Sequence, residues 1–222
     1  MATQADIGRE FVKALDAAER HERPFRHWIL KHLFPADTAA ALRALPFAAP
    51  DLDGVSGTRE AHNATRVYFD PENQERYAVC RDVAAALQDC AVVAAVEAVF
   101  GTDLRGTFLR VEYVQDVDGF WLEPHTDIGV KRYTLLAYLS DEPNHTELGT
   151  DLYADPGSWA VTVPFVPNTA LGFVPSDRTW HGFRKRPIGG VRKSIIVNYV
   201  TNEWRAREQL CFPHTPVLAA AA

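Results

Sequence analysis

The sequence predicts a mainly β chain with N-terminal helices, an α+β arrangement in which the helices pack on one outer face of a β-sandwich or jelly roll. Three observations lead there. Residues 1–100 carry apolar side chains mostly at helical spacing. Residues 101–201 break into short β-branched and aromatic runs separated by Gly, Pro, Asn and Asp. The length of 222 residues, 47% of them hydrophobic, sustains one well-buried core, so a single domain over 1–222 is expected.

In chain order, Ile7, Phe11, Val12 and Leu15 give residues 5–19 one apolar helical face, and the Ala- and Leu-rich run 36–45 behind Pro35 reads as a second helix. The apolar stretch FRHWILKHLF lies between them, so the N-terminal quarter reads as mostly helical. Across residues 47–63, Pro50, Gly54 and Gly57 interrupt every period, which makes this a long loop of the kind that often serves function. A short strand at 65–69 precedes the polar turn DPENQE, and Val92, Val96 and Val99 mark a helical region over 78–100. Strands are then expected at 105–114, 119–125, 132–140, 150–154, 158–163, 170–174, 178–185 and 192–201. Thus 1–100 is a mostly helical support region, 101–201 the candidate catalytic core, and 202–222 a tail ending in PVLAAAA.

Charge and cysteine content narrow the function. Lys plus Arg number 23 and Asp plus Glu 29, a formal net charge of -6 that lacks the basic field needed to bind a nucleic acid backbone. No run approaches the length of a membrane span, and MATQADIGRE has neither the basic start nor the apolar run of a signal peptide, so a soluble, cytoplasmic protein is expected. Cys80, Cys90 and Cys211 form no CxxC pair and are odd in number, which argues against a disulfide framework or a thiolate zinc site.

The chemistry concentrates in the β region. WLEPHTDIGV contains His125 and Asp127, whose imidazole and carboxylate can reach one metal ion from a strand end. With 8 His and 16 Asp in 222 residues, about 0.6 such His-x-Asp tripeptides arise by chance, so the pair needs support. His181, 56 residues later in TWHGF, provides it. Two neutral imidazoles and one carboxylate make the facial triad that leaves positions open on Fe(II). Eleven residues further, Arg192 and Ser194 stand two apart in GGVRKSIIVNYV and therefore project from one strand face. A guanidinium fork with a hydroxyl suits a carboxylate in a dry pocket. The same parity places Thr134, Leu136 and Tyr138 together, and Tyr138 can add a phenol hydrogen bond to that carboxylate. The basic residues Arg178, Arg184, Lys185 and Arg186 around His181 read as a charged strand edge.

These residues resemble the signature of the 2-oxoglutarate- and Fe(II)-dependent oxygenases, on the prolyl-hydroxylase-like branch, over residues 105–201. The resemblance implies a double-stranded β-helix of jelly-roll, cupin-like type. It implies His125, Asp127 and His181 as catalytic iron ligands, and Arg192 and Ser194 as the holders of the distal carboxylate of 2-oxoglutarate. It further implies Tyr138 and Tyr113 as tyrosines of the cosubstrate pocket, O2 as the oxidant, and hydroxylation of a C–H bond with release of succinate and CO2. Asp127 is retained where related halogenases carry a small residue, which favours hydroxylation. The family's frequent Gly-Gly pair stands here as Leu148-Gly149-Thr150, and the longer Arg-containing motif of nucleic acid demethylases is absent. A small-molecule or peptide substrate is expected, with a mobile loop within 46–64 closing the site. Two other readings use the same residues: a cupin-like metal-dependent isomerase or epimerase, and a non-catalytic metal- or ligand-binding jelly roll.

Overall fold

The computed structural model describes residues 2–52, 57, 66–127 and 129–218. Helix α1 (Gln4–Asp16) starts at a capping box, in which Thr3 accepts from the Asp6 N–H at 3.3 Å and the Asp6 carboxylate accepts from the Thr3 N–H at 2.9 Å. It buries Ile7, Phe11 and Leu15. Helices α2 (Ala36–Arg43), α3 (Pro71–Arg76), α4 (Ala78–Gln88) and α5 (Cys90–Phe100) follow. The expected polar turn DPENQE is thus a short helix, because Asp70 caps it by accepting from the Asn73 N–H at 2.8 Å and Pro71 occupies its first position. Among the described residues no single helix is long and apolar enough to cross a membrane.

The strands are β1 (Glu19–His21), β2 (His27–Lys31), β3 (Val67–Tyr68), β4 (Phe108–Asp116), β5 (Leu122–His125), β6 (Lys131–Tyr138), β7 (Asp151–Asp155), β8 (Ser158–Thr162), β9 (Thr169–Phe173), β10 (His181–Phe183) and β11 (Arg192–Val200). They make two antiparallel sheets, one in the order β1-β2-β9-β6-β11-β4-β3 and one in the order β5-β10-β7-β8. Neither sheet closes on itself. All eight strands expected after residue 101 are present. Nearer the N-terminus the apolar stretch between the first two helices carries a strand that the sequence reading did not assign: HWILK is β2, with Trp28 opposite Gly172 of β9. Its side chains are buried in succession instead of alternating, which hides the strand period.

Alternation along the three central strands divides the molecule. Val111 and Tyr113 of β4, Leu135 and Ala137 of β6, and Ile195 and Val197 of β11 pack with Phe11, Val83 and Val96 of the helices in the main core. Burying one such Leu or Val side chain contributes about 1.5–3 kcal/mol relative to exposure. The alternate positions, among them Glu112 and Asp116 of β4, Thr134 of β6, and Arg192 and Ser194 of β11, line a cavity whose remaining wall comes from β5 and β10 of the smaller sheet.

Candidate active site

His125 and His181 stand directly opposite each other in the β5–β10 ladder, with ring centroids 4.4 Å apart. Antiparallel pairing thus brings together two imidazoles 56 residues apart in sequence. Each Nδ1 lies against a backbone carbonyl two residues earlier, His125 at 3.0 Å from the Glu123 oxygen and His181 at 2.9 Å from the Thr179 oxygen. The carbonyls can only accept, so each Nδ1 is the donor, and Nε2 is the nitrogen through which each ring would ligate an ion. Gly182 permits the close approach of the two strands. A Cβ there would stand 2.8 Å from the Leu122 carbonyl oxygen and 3.0 Å from that of Glu123.

Asp127 leaves β5 two residues after His125 and turns into the cavity. Its Oδ1 accepts from Lys131 Nζ at 2.7 Å and its Oδ2 from Thr134 Oγ1 at 2.6 Å. One candidate ligand atom from each of His125, Asp127 and His181 lies within 4.8 Å of the others, a spread that one ion can bridge. Two imidazole nitrogens and one carboxylate oxygen, on a site with His181 and Asp127 buried, fit a divalent ion such as Fe(II).

Arg192 and Ser194 line the same cavity from β11. Arg192 Nε donates to the Leu148 carbonyl at 2.5 Å, and its guanidinium pairs with Asp116, the residue opposite it on β4. The rings of Phe165 and Phe183 lie 5.0 and 4.8 Å from it and set apolar surface against the guanidinium. Ser194 stands opposite Tyr138 of β6. Tyr138 shares the strand face of Thr134 and Leu136, and its hydroxyl donates to Thr150 Oγ1 at 3.0 Å. Burial pushes its phenol pKa up, while the Thr150 hydrogen bond and the Arg192 charge pull it back. Thr150 itself lines the cavity, so Tyr138 supports the wall from behind.

Tyr113 requires a correction. It lies one residue out of step with Glu112 and Val114 and so points to the helical side, where its ring meets Phe47 at 5.3 Å within the main core. Burial raises its phenol pKa, and it is not among the residues lining the cavity. The basic residues near His181 are also partly structural, because Arg186 donates to the buried Asp151 at 2.6 Å and to the Gly149 carbonyl at 2.6 Å.

Several residues in and behind the cavity wall escape a motif reading. Asn198 Nδ2 donates to Thr134 Oγ1 at 2.9 Å, and Arg110 Nη1 donates to Asn198 Oδ1 at 3.3 Å. Glu112 accepts from Arg110 and, at 2.6 Å, from Arg66. A hydrogen-bonded path therefore runs from Asp127 through Thr134, Asn198 and Arg110 to Glu112 and Arg66. The signal was the spacing of Arg110, Glu112 and Asp116 on alternate positions of one strand.

No family model matches the chain, and no curated protein matches it. Solved structures do. The chain is similar to a prolyl-4-hydroxylase from Pseudomonas putida, at 17% identity over 88% of this chain and 94% of that chain, with a TM-score of 0.55. It is similar to a prolyl hydroxylase from Trichoplax adhaerens in complex with a peptide fragment of the hypoxia inducible factor oxygen degradation domain, at 14% identity over 91% and 93%, TM-score 0.58. It is similar also to the non-heme α-ketoglutarate-dependent epimerase SnoN from nogalamycin biosynthesis, at 14% identity over 98% and 96%, TM-score 0.52. At these identities the likeness is one of fold, a fold shared with prolyl hydroxylases, with an α-ketoglutarate-dependent epimerase and with a 2OG-Fe(II) oxygenase family protein from Burkholderia pseudomallei.

Proposed function

We propose that the protein is a 2-oxoglutarate- and Fe(II)-dependent dioxygenase that hydroxylates a C–H bond of a small molecule or peptide, its two sheets forming the double-stranded β-helix of that class. One observation carries the reading: His125, Asp127 and His181 converge in a cavity that also presents Arg192 and Ser194. A metal-binding isomerase that uses no keto acid has no need of the second group.

His125 and His181 would hold Fe(II) through Nε2 and Asp127 through a carboxylate oxygen, leaving positions for the keto acid and O2. Bound there, the iron supplies oxidative decarboxylation of 2-oxoglutarate to succinate and CO2 and the oxidation of the substrate. The chain's own work is positional. The Glu123 and Thr179 carbonyls fix the imidazole tautomers, and Thr134 orients Asp127. Arg192 and Ser194 take the distal carboxylate of the cosubstrate, in a wall that Tyr138 braces through Thr150. The closing loop expected within 46–64 lies largely outside the described residues, although Gly57 is bridged to Leu122 of β5, next to the triad. A peptide substrate is supported by the bound peptide of the Trichoplax adhaerens neighbour.

Anaerobic titration of the Fe(II)-loaded protein with 2-oxoglutarate tests this reading. A weak visible charge-transfer band is expected in the wild type and is lost in His181→Ala. Iron binding without any such band overturns the proposal in favour of the isomerase or the silent binding module.

A further inference from the structure

Asn198 is fully buried in the middle of the larger sheet, opposite Arg110 of β4 on one side and Thr134 of β6 on the other. It does not itself line the cavity, whereas Thr134 does. The three side chains form one row across β4, β11 and β6, and the row ends at Asp127, whose Oδ2 accepts from Thr134 Oγ1 at 2.6 Å. What the row transmits follows from which of its groups can donate.

A guanidinium only donates, so Arg110 Nη1 at 3.3 Å fixes the facing atom of Asn198 as the amide oxygen. A carbonyl only accepts, so the Tyr133 oxygen at 3.3 Å independently fixes the other atom as the nitrogen. Turning the amide over would set donor against donor at Arg110 and acceptor against acceptor at Tyr133, with no water at that depth to relieve either. The amide nitrogen therefore also donates to Thr134 Oγ1, at 2.9 Å. A threonine hydroxyl has one proton and rotates to suit its neighbours. Here its side towards Asn198 is taken by a donor, so its own proton is directed to Asp127.

We infer that Asn198 is a positioning residue for Asp127: from behind the cavity wall, its amide turns the Thr134 hydroxyl so that it holds Asp127 Oδ2. This deepens the dioxygenase reading, and it rests on that reading only for the ion that Asp127 would ligate.

The test uses the full chain and two readouts. In metal-free protein carrying 13C-labelled aspartate, the carboxylate resonance of Asp127 reports on its hydrogen bond. Asn198→Asp offers Thr134 an acceptor in place of a donor, and its added charge faces the Arg110 guanidinium. The hydroxyl then turns away from Asp127, so the resonance is expected to move in the same direction as in Thr134→Val. Titration with Mn(II) is the second readout. A carboxylate added to this row would by its charge tighten a cation, whereas loss of the Thr134 hydrogen bond weakens it. Asn198→Asp is expected to weaken Mn(II) binding about threefold or more, and not to weaken it in a Thr134→Val background, where there is no hydroxyl to turn. Equal weakening in both backgrounds is what a merely structural role would give, and it overturns the proposal. An Asp127 resonance that stays at its wild-type position, or Mn(II) binding that tightens, overturns it too. Should Asn198→Asp not fold, Asn198→Ala removes the donor without adding charge; about twofold or greater weakening that vanishes with Thr134→Val supports the proposal, and any other result overturns it. A wild type that binds no Mn(II) while the Asp127 resonance moves as expected overturns the metal reading and leaves the role of Asn198 standing.

Discussion

Arg192 and Asp116 face each other across the β11–β4 ladder and form a buried ion pair inside the cavity. A cosubstrate carboxylate arriving at Arg192 must share the guanidinium with Asp116. Asp116→Asn removes the competing charge and should tighten 2-oxoglutarate binding to the metal-loaded protein about tenfold, the scale of one screened charge contact. The same variant leaves the cation buried and alone, so its stability in the absence of ligand should fall by about 3–5 kcal/mol. Calorimetric titration and thermal unfolding measure the two effects separately.

Arg192→Ala should raise the apparent KM for 2-oxoglutarate while leaving Fe(II) affinity near the wild-type value, because the guanidinium touches Asp116 and Leu148 and none of the three candidate ligands. Equal loss of iron would remove Arg192 from its assigned role. Metal titration followed by succinate assay distinguishes the two outcomes.

Lys131 and Thr134 hold opposite oxygens of Asp127, and they should act on metal affinity in opposite directions. Lys131→Met removes a cation beside an incoming divalent ion and should tighten Mn(II) binding about tenfold or more. Thr134→Ala frees the carboxylate to rotate and should weaken binding about tenfold.

Gly182 sits between His181 and Phe183, where an added Cβ would press on the β5 backbone at 2.8 Å. Gly182→Ala should push the two strands apart and cost metal affinity at least tenfold, the order of loss seen when ligand orientation is disturbed. Retention of wild-type Mn(II) binding would show that the ladder yields without moving the imidazoles.

The thiols give a prediction in pH. Burial raises the Cys80 pKa from 9.0 to about 12 and raises that of Cys211 as well. The unfolded chain loses these protons near 9 and the folded chain holds them longer. Their contribution to stability is therefore complete below pH 9 and is lost as pH rises towards 12. Tm should fall across that window, less steeply in Cys80→Ala. In the folded protein at neutral pH, Cys90 should be alkylated first, since it is the exposed thiol while Cys80 and Cys211 are buried.

How much of this was legible in the sequence differs by element. Strands after residue 101 could be read because each is short and bounded by turn residues. Strand β2 could not, since HWILK is covered on both sides and shows no period of two. The triad, Arg192 and Ser194 could be seen as spaced motifs, whereas Asp116, Lys131 and Arg66 could not. Alternating charges on a strand ordinarily mark the solvent face, and in β4 the charged face turns inward. Tyr113 shows the converse error: its distance from His125 in sequence suited the cosubstrate pocket, but strand parity turned it into the helical core.

The placement of the three candidate ligands bears on assembly as well as on chemistry. Two come from the four-stranded sheet, while the third is tethered by Thr134 to the seven-stranded one. An ion at that point would be a cross-link between layers that otherwise meet through side-chain packing. Its stabilisation would grow with the logarithm of free metal above its dissociation constant. Chelation would then loosen the small sheet first, and amide exchange in β5 and β10 should quicken before that in β4, β6 and β11.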